Sequence, residues 1–218
     1  MEYNIEKLLA YNQFDETKNK YHDRIKCYIE TKHIAIQKYN KITESEKIKY
    51  NPDIKCDKKY DNTSIFVENI DTIDIGIFMK NKGCKPLLLN LSDDCIAGGC
   101  VEQGSGAQEE SLFRRSNYFM TLKEELYPIH DNEAIYSPNV TIFRNNETNK
   151  WTYYNTPSLL DFIACPGIKY PITIWKNGCK VLNDNDTNRL KNKIRLILQC
   201  GYIKRSEEHT SELQSRET

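Results

Sequence analysis

The 218-residue sequence predicts an α/β fold in three layers, with helices on both faces of a mixed sheet and a helical extension at the N-terminus. Three observations carry this. "KPLLLNL" (85–91) is a near-continuous apolar run of the kind found in strands buried on both sides. Strand and helix signals alternate from residue 64 onward. "DTNRLKNKIRLILQCGYI" (186–203) sets Leu190, Ile194, Ile197 and Leu198 on one stripe of a helix.

Taken in order, residues 1–60 are charged and tyrosine-rich, with patches of helical period at Ile25, Tyr28 and Ile29 and at Ile34, Ile36 and Tyr39, which predict two or three helices. "SIFVENI" (64–70) is a short β-rich run. "DTIDIGIFMKNKG" starts a helix at Asp71 and stops it at Gly83, and "KPLLLNL" completes a β-α-β unit. A helix over 107 to about 125 comes next, then strands at "AIYSPNVTIFR" (134–144), "KWTYYN" (150–155) and "LLDFIACPGI" (159–168). After the last helix, ending near Cys200, the pattern asks for another parallel strand. The chain instead enters "RSEEHTSELQSRET" (205–218), whose first eleven residues resemble the translation of a sequencing-adapter oligonucleotide. The expectation is therefore a helical extension over 1–60, a main domain over 61–204 that lacks a C-terminal strand, and a tail over 205–218 that is artefactual or disordered.

Lysine plus arginine equals aspartate plus glutamate at 31 each, which argues against a protein that coats a polyanion, so no direct nucleic-acid partner is expected. No two of the eight cysteines are spaced as C-x-x-C, and none lies near a histidine pair, which argues against a zinc site. No apolar run approaches the length that crosses a bilayer, and the N-terminus is too polar for a signal peptide, so no membrane contact is expected. These observations predict a cytoplasmic protein, or one of the host cytoplasm or nucleus if its source is viral.

The chemistry concentrates in "NLSDDCIAGGCVEQGSGAQEESLFRRSNYF" (90–119), a long loop between a buried strand and a helix, where binding loops are commoner than spacers. Gly98 and Gly99 let backbone N–H groups approach a ligand, and Gly104 and Gly106 permit the turns back to a helix start. The helix N-terminus faces the same space and suits an anion. Nucleotide fingerprints of the G-x-x-x-x-G-K-[ST] and G-x-G-x-x-G types are absent, as is a G-x-S-x-G elbow. Glu109 and Glu110 stand in the first helical turn, where acidic residues are also simple helix caps. Successive helical residues point about 100° apart, so only one of the two aims straight into the cradle while its neighbour braces. Such a carboxyl serves as general acid and then general base in glycoside hydrolysis.

The order strand, Gly98-Gly99-Cys100, seven residues from Val101 to Ala107, then Gln108-Glu109-Glu110 and "SLFRRSNYF" closely resembles the signature of poly(ADP-ribose) glycohydrolases. That family's pattern is three glycines, six to eight residues, then Gln-Glu-Glu, on a macrodomain-like fold. "SIFVENIDTID", "PLLLN" and "FIACP" extend the similarity to its microbial and viral-type members over about residues 62–204. The resemblance implies a glycosidase that releases ADP-ribose, with ADP-ribose polymer or an ADP-ribosylated protein as partner and neither metal nor cofactor. It implies that Glu110 protonates the ribose–ribose oxygen and then activates water, and that Glu109 holds ribose hydroxyls. Gln108 and the backbone of Gly98, Gly99, Cys100 and Val101 would position the distal unit, with Asn90 and Asp71 as further substrate contacts. Two departures stand out: Cys100 replaces the third glycine, and the family's second phosphate loop, expected after the last helix, is not found. The alternatives are a non-catalytic ADP-ribose reader, against which the retained glutamate pair argues, or an inactive truncated fragment.

Overall fold

The computed structural model describes residues 16–54 and 63–214, with side chains for 19–54 and 63–204. Helix α1 (Glu16–Lys38) leads to strand β1 (Glu46–Lys49), followed by α2 (Thr72–Asn81), β2 (Leu87–Asn90) and α3 (Gln108–Arg115). The long strands β3 (Glu133–Arg144) and β4 (Tyr153–Ala164) come next, then the hairpin β5 (Thr173–Lys176) and β6 (Cys179–Leu182), and α4 (Asp184–Gln214). The main sheet has the order β1-β3-β4-β2, with β2 parallel to β4 and the other pairs antiparallel.

Alternation along the strands sorts side chains onto two faces. Leu88, Ile135, Val140, Ile142, Leu160 and Phe162 face α1, α2 and α3, where they meet Tyr28, Ile73, Leu112 and Phe113. Ala134, Tyr136 and Ile163 face the other way, onto Leu196 and Cys200 of α4. Two apolar faces covered by helices make the three layers and the mixed sheet that the sequence predicts. Asp71 caps α2, accepting the N–H groups of Ile73 at 3.0 Å and Asp74 at 3.1 Å. It therefore starts that helix where the sequence places the start.

Several elements differ from expectation. Among the described residues the N-terminal region holds one helix, and Glu46–Lys49 is a strand of the main sheet, paired with Glu133–Tyr136 of β3. The boundary expected at 60/61 lies outside the described residues. "SIFVENI" is not a strand: Ile65, Phe66 and Val67 are 82–94% exposed, with no partner strand among the described residues. "KWTYYN" and "LLDFIACPGI" supply one strand, β4, whose register with β3 shifts between Ser137 and Val140, where Asn139 has φ 54°.

Helix α3 stops at Arg115, well short of 125. Ser116 turns its hydroxyl back to the Leu112 carbonyl and bridges to Ile142, and the Asn117 side chain accepts the Thr141 N–H at 2.8 Å, drawing the chain onto β3. Of the stripe read on α4, Leu190, Ile194 and Leu198 are exposed, while Ile197 packs beside Leu196 and Cys200 against the sheet. Polar anchors flank that apolar contact. Gln199 donates to the Asn51 carbonyl at 2.7 Å and accepts its N–H at 3.0 Å, while Lys193 and Arg189 pair with Asp131. The same helix runs through Gln214, beyond the expected end near Cys200; the side chains after 204 and all of 215–218 lie outside the described residues.

Candidate active site

The loop at the carboxyl end of β2 and the first turn of α3 meet around two nearly buried carboxyl groups, Glu109 at 3% and Glu110 at 6% exposure. Asn90, the last residue of β2, is fully buried and donates its side-chain N–H to Glu109 Oε1 at 3.1 Å. The Asp93 N–H donates to Glu109 Oε2 at 2.7 Å. Both oxygens of Glu109 are thus held by protein. Glu110 differs: Oε1 accepts the Cys100 N–H at 3.1 Å, and its other oxygen has no protein partner among the described residues. Burial pushes the Glu109 carboxyl above the ordinary carboxylate range; the amides of Asp93, Asn90 and Gly98 oppose this, and neighbouring Glu110 adds to it.

The backbone of the cradle explains its glycines. Gly98 has φ +80°, and a Cβ there would fall 2.5 Å from the Phe113 ring. Gly99 has φ +52°, with a Cβ position 3.0 Å from Glu110 Oε1 and 3.5 Å from Glu109 Oε2. A side chain at Gly99 would fill the space between peptide and carboxyl groups. Cys100, at φ −101°, has a backbone conformation open to any residue, and its thiol is exposed. The third glycine of the expected pattern is therefore replaced where neither φ nor crowding demands glycine. Val101 begins the next turn and is buried in the core, so only its backbone could meet a ligand.

Gln108 and Asp71 are turned away from the pair. The Gln108 amide donates to the Leu89 carbonyl at 2.7 Å and to Thr72 Oγ1 at 3.2 Å, and its oxygen accepts the Leu91 N–H at 2.7 Å. It ties the end of β2 to the start of α2 and of α3. Asp71 meets Arg115, whose fully buried guanidinium also reaches Asp74, at 2.6 and 2.8 Å respectively. Burial pushes the Asp71 carboxyl up, but the Arg115 charge and hydrogen bond, with the amides of Asp74 and Ile73, outweigh it and hold the group below its ordinary value.

Sequence reasoning leaves out four contributors: Asp93, Thr72, Arg114 and Arg115. The "DD" of "LSDDC" is a turn signal, since Asp93 Oδ1 accepts the N–H groups of Cys95 at 2.8 Å and Ile96 at 3.0 Å. Nothing in the sequence shows that this turn aims the Asp93 N–H at Glu109. Among the described residues Asp93, Asp94 and Cys95 lie close enough together to hold a cation, and the Lys169 ammonium already pairs with both aspartates. Helix α1 lies along the far side of the loop: Arg24 donates to the Gly104 carbonyl at 3.4 Å and pairs with Glu147 at 3.0 Å. The Tyr21 carbonyl is 2.6 Å from where a Gly104 Cβ would stand.

Comparison with known proteins follows the same lines. A family model described as the microbial-type PARG catalytic domain matches residues 15–145, more than half of the chain. The structure of poly(ADP-ribose) glycohydrolase from Thermomonospora curvata superposes with a TM-score of 0.66 at 18% identity, covering 81% of this chain and 74% of that one. A second structure from that organism, bound to the inhibitor ADP-HPD, gives 0.62 at 18% identity over 81% and 73% of the two chains. No curated protein matches. At such identity these structures speak for a shared fold. The family match begins at residue 15, so it takes in α1 and β1 with the rest of the domain.

Proposed function

The chain belongs to the microbial-type poly(ADP-ribose) glycohydrolase catalytic-domain family, glycosidases that hydrolyse poly(ADP-ribose), and from that membership we propose that Glu110 is its general acid and base. One observation carries the choice between the two glutamates. Glu109 has both oxygens occupied by protein donors, whereas Glu110 keeps one oxygen unclaimed among the described residues. An oxygen already accepting a short hydrogen bond is a poor proton donor to a leaving group; an unclaimed one is available to it.

In this reading Glu110 protonates the ribose–ribose oxygen as the bond to the anomeric carbon breaks, and charge develops on the ribose ring as an oxocarbenium-like centre. The same carboxylate then takes a proton from the attacking water, restoring the acid. Glu109, fixed from both sides, holds ribose hydroxyls. The backbone at Gly98, Gly99 and Cys100 lines the approach of the anionic unit. Gln108 acts through the β2 and α2 termini that it ties, and Asp71 through Arg115. The T. curvata relative's binding of ADP-HPD supports an ADP-ribose-like ligand at this cradle.

The partner is ADP-ribose polymer or an ADP-ribosylated protein. Among the described residues no helix is long and apolar enough to cross a membrane, and the seven described cysteines are free thiols, which supports a reducing compartment such as the cytoplasm. Incubating the protein with poly(ADP-ribose) and measuring the products by chromatography tests the reading. Free ADP-ribose is expected, and its absence with a folded protein would overturn it.

A further inference from the structure

We infer that Arg114 is a positioning residue for Glu110, acting through a ring of hydrogen bonds that begins and ends on α3. The Arg114 guanidinium donates Nη1–H to the Ser105 carbonyl at 2.7 Å. The Ser105 N–H donates to the Cys100 carbonyl at 3.2 Å, and the Cys100 N–H donates to Glu110 Oε1 at 3.1 Å. Arg114 stands four residues after Glu110, one helical turn away on the same side of α3, so the ring closes through the helix itself.

The charge at Arg114 is only weakly compensated. Its side chain is 1% exposed, its Nε is buried without a partner, and no carboxylate lies within ion-pair distance of it among the described residues. An unpaired buried guanidinium is expensive, and an apolar side chain would fill the same volume more cheaply. Arg115, next in sequence, shows the contrast: it is equally buried but holds two carboxylates. Burial lowers the proton affinity of Arg114 and nearby Arg24 lowers it further, against the opposing pull of Cys27 and of the more distant Glu147 and Glu110 carboxylates. What Arg114 gains in place of a countercharge is the Ser105 carbonyl, a hydrogen bond that grips the loop between cradle and acid from inside, as the buried Val101 side chain does at the start of the loop. Arg24 grips the adjacent Gly104 carbonyl from outside. The seven residues from Val101 to Ala107 are thus held at a fixed path length, which sets where the Cys100 peptide meets Glu110.

The inference rests on the proposed role of Glu110, but one readout is independent of activity. In Arg114→Met, hydrogen exchange at the Cys100 amide should rise by about tenfold or more while β3 amides stay protected, because the loop loses its inner anchor. In steady state, kcat should fall by about 10- to 100-fold with KM little changed, since misplacing an acid by a fraction of an ångström is felt in turnover. Arg114→Lys should recover part of that loss. Adding Arg114→Met to Glu110→Gln should cost nothing further, because both act through one group. Unchanged exchange at Cys100 in folded Arg114→Met, or an additive loss in the double variant, would overturn the inference. If Arg114→Met does not fold, Arg114→Lys decides: wild-type exchange at Cys100 together with wild-type kcat overturns it equally. Faster exchange at Cys100 in a protein that releases no ADP-ribose would keep the ring and remove the role of Glu110.

Discussion

Glu110 accepts the backbone N–H of Cys100 at 3.1 Å, so the proposed acid is held by the very residue that interrupts the expected glycine triplet. The contact comes from the peptide and not the thiol, which is why the substitution at that position leaves the arrangement intact.

Glu110→Gln keeps size and the acceptor for Cys100 but cannot release a proton. ADP-ribose release from polymer should fall by at least about 100-fold, as for a lost general acid. Binding of ADP-ribose, measured by calorimetry, should survive. Turnover close to wild type would remove Glu110 from the mechanism.

Glu109→Gln should lower turnover less than Glu110→Gln, and should stabilise the protein at neutral pH. Burial holds the Glu109 carboxyl above its ordinary value, so the unfolded chain loses that proton at lower pH than the folded one. The stabilising contribution is complete below the ordinary value near pH ~4.3 and is lost as pH rises through the folded one. Glutamine has no such charge, and Asn90, whose Oδ1 is buried without a partner, can turn that oxygen toward the new amide. The variant should melt higher than wild type at pH 7, with the gap closing towards pH 4. A gap that does not depend on pH would rule out ionisation as its cause.

Cys100→Gly should change little. The residue sits at φ −101° with an exposed side chain, so kcat/KM should move by no more than about twofold. A tenfold change in steady-state assays would show that the side chain itself meets substrate.

Asp71→Asn keeps the cap on α2 but takes one of two charges from buried Arg115. A loss of about 1–3 kcal/mol is expected in urea melts at pH 7. Because Arg115 depresses the Asp71 carboxyl, that stability is present above the ordinary value and disappears as pH falls through the depressed one. Wild type and variant should therefore converge in acid. A rise in KM without loss of stability would instead place Asp71 at the substrate.

The sequence makes legible whatever depends on chain-local chemistry. The cap at Asp71, the buried run of β2, the glycines at 98 and 99 and the acidic pair all follow from residue type and spacing. Elements set by distant partners do not. β1 reads as helix because "EKIK" has no apolar alternation, and only its pairing with β3 makes it a strand. "SIFVENI" has the β-rich composition and lacks a partner strand among the described residues. Helix α4 seats Leu196, Ile197 and Cys200 on the sheet, flanked by Gln199 and Lys193, whose partners Asn51 and Asp131 lie far away in the chain. At the site, the carboxylates can be picked out but their division of labour cannot, because it rests on the Asp93 N–H, the Asn90 side chain and the Cys100 N–H converging from three segments.

Helix α1, whose Tyr21 and Arg24 press on Gly104, makes the site non-modular. Grafting residues 90–119 into another scaffold would carry the whole recognisable motif and none of the wall that shapes it. For the same reason a drift in α1 would silence the motif without altering a letter of it, so a survey that scores only the glycines and the Gln-Glu-Glu triplet would count such a chain as active.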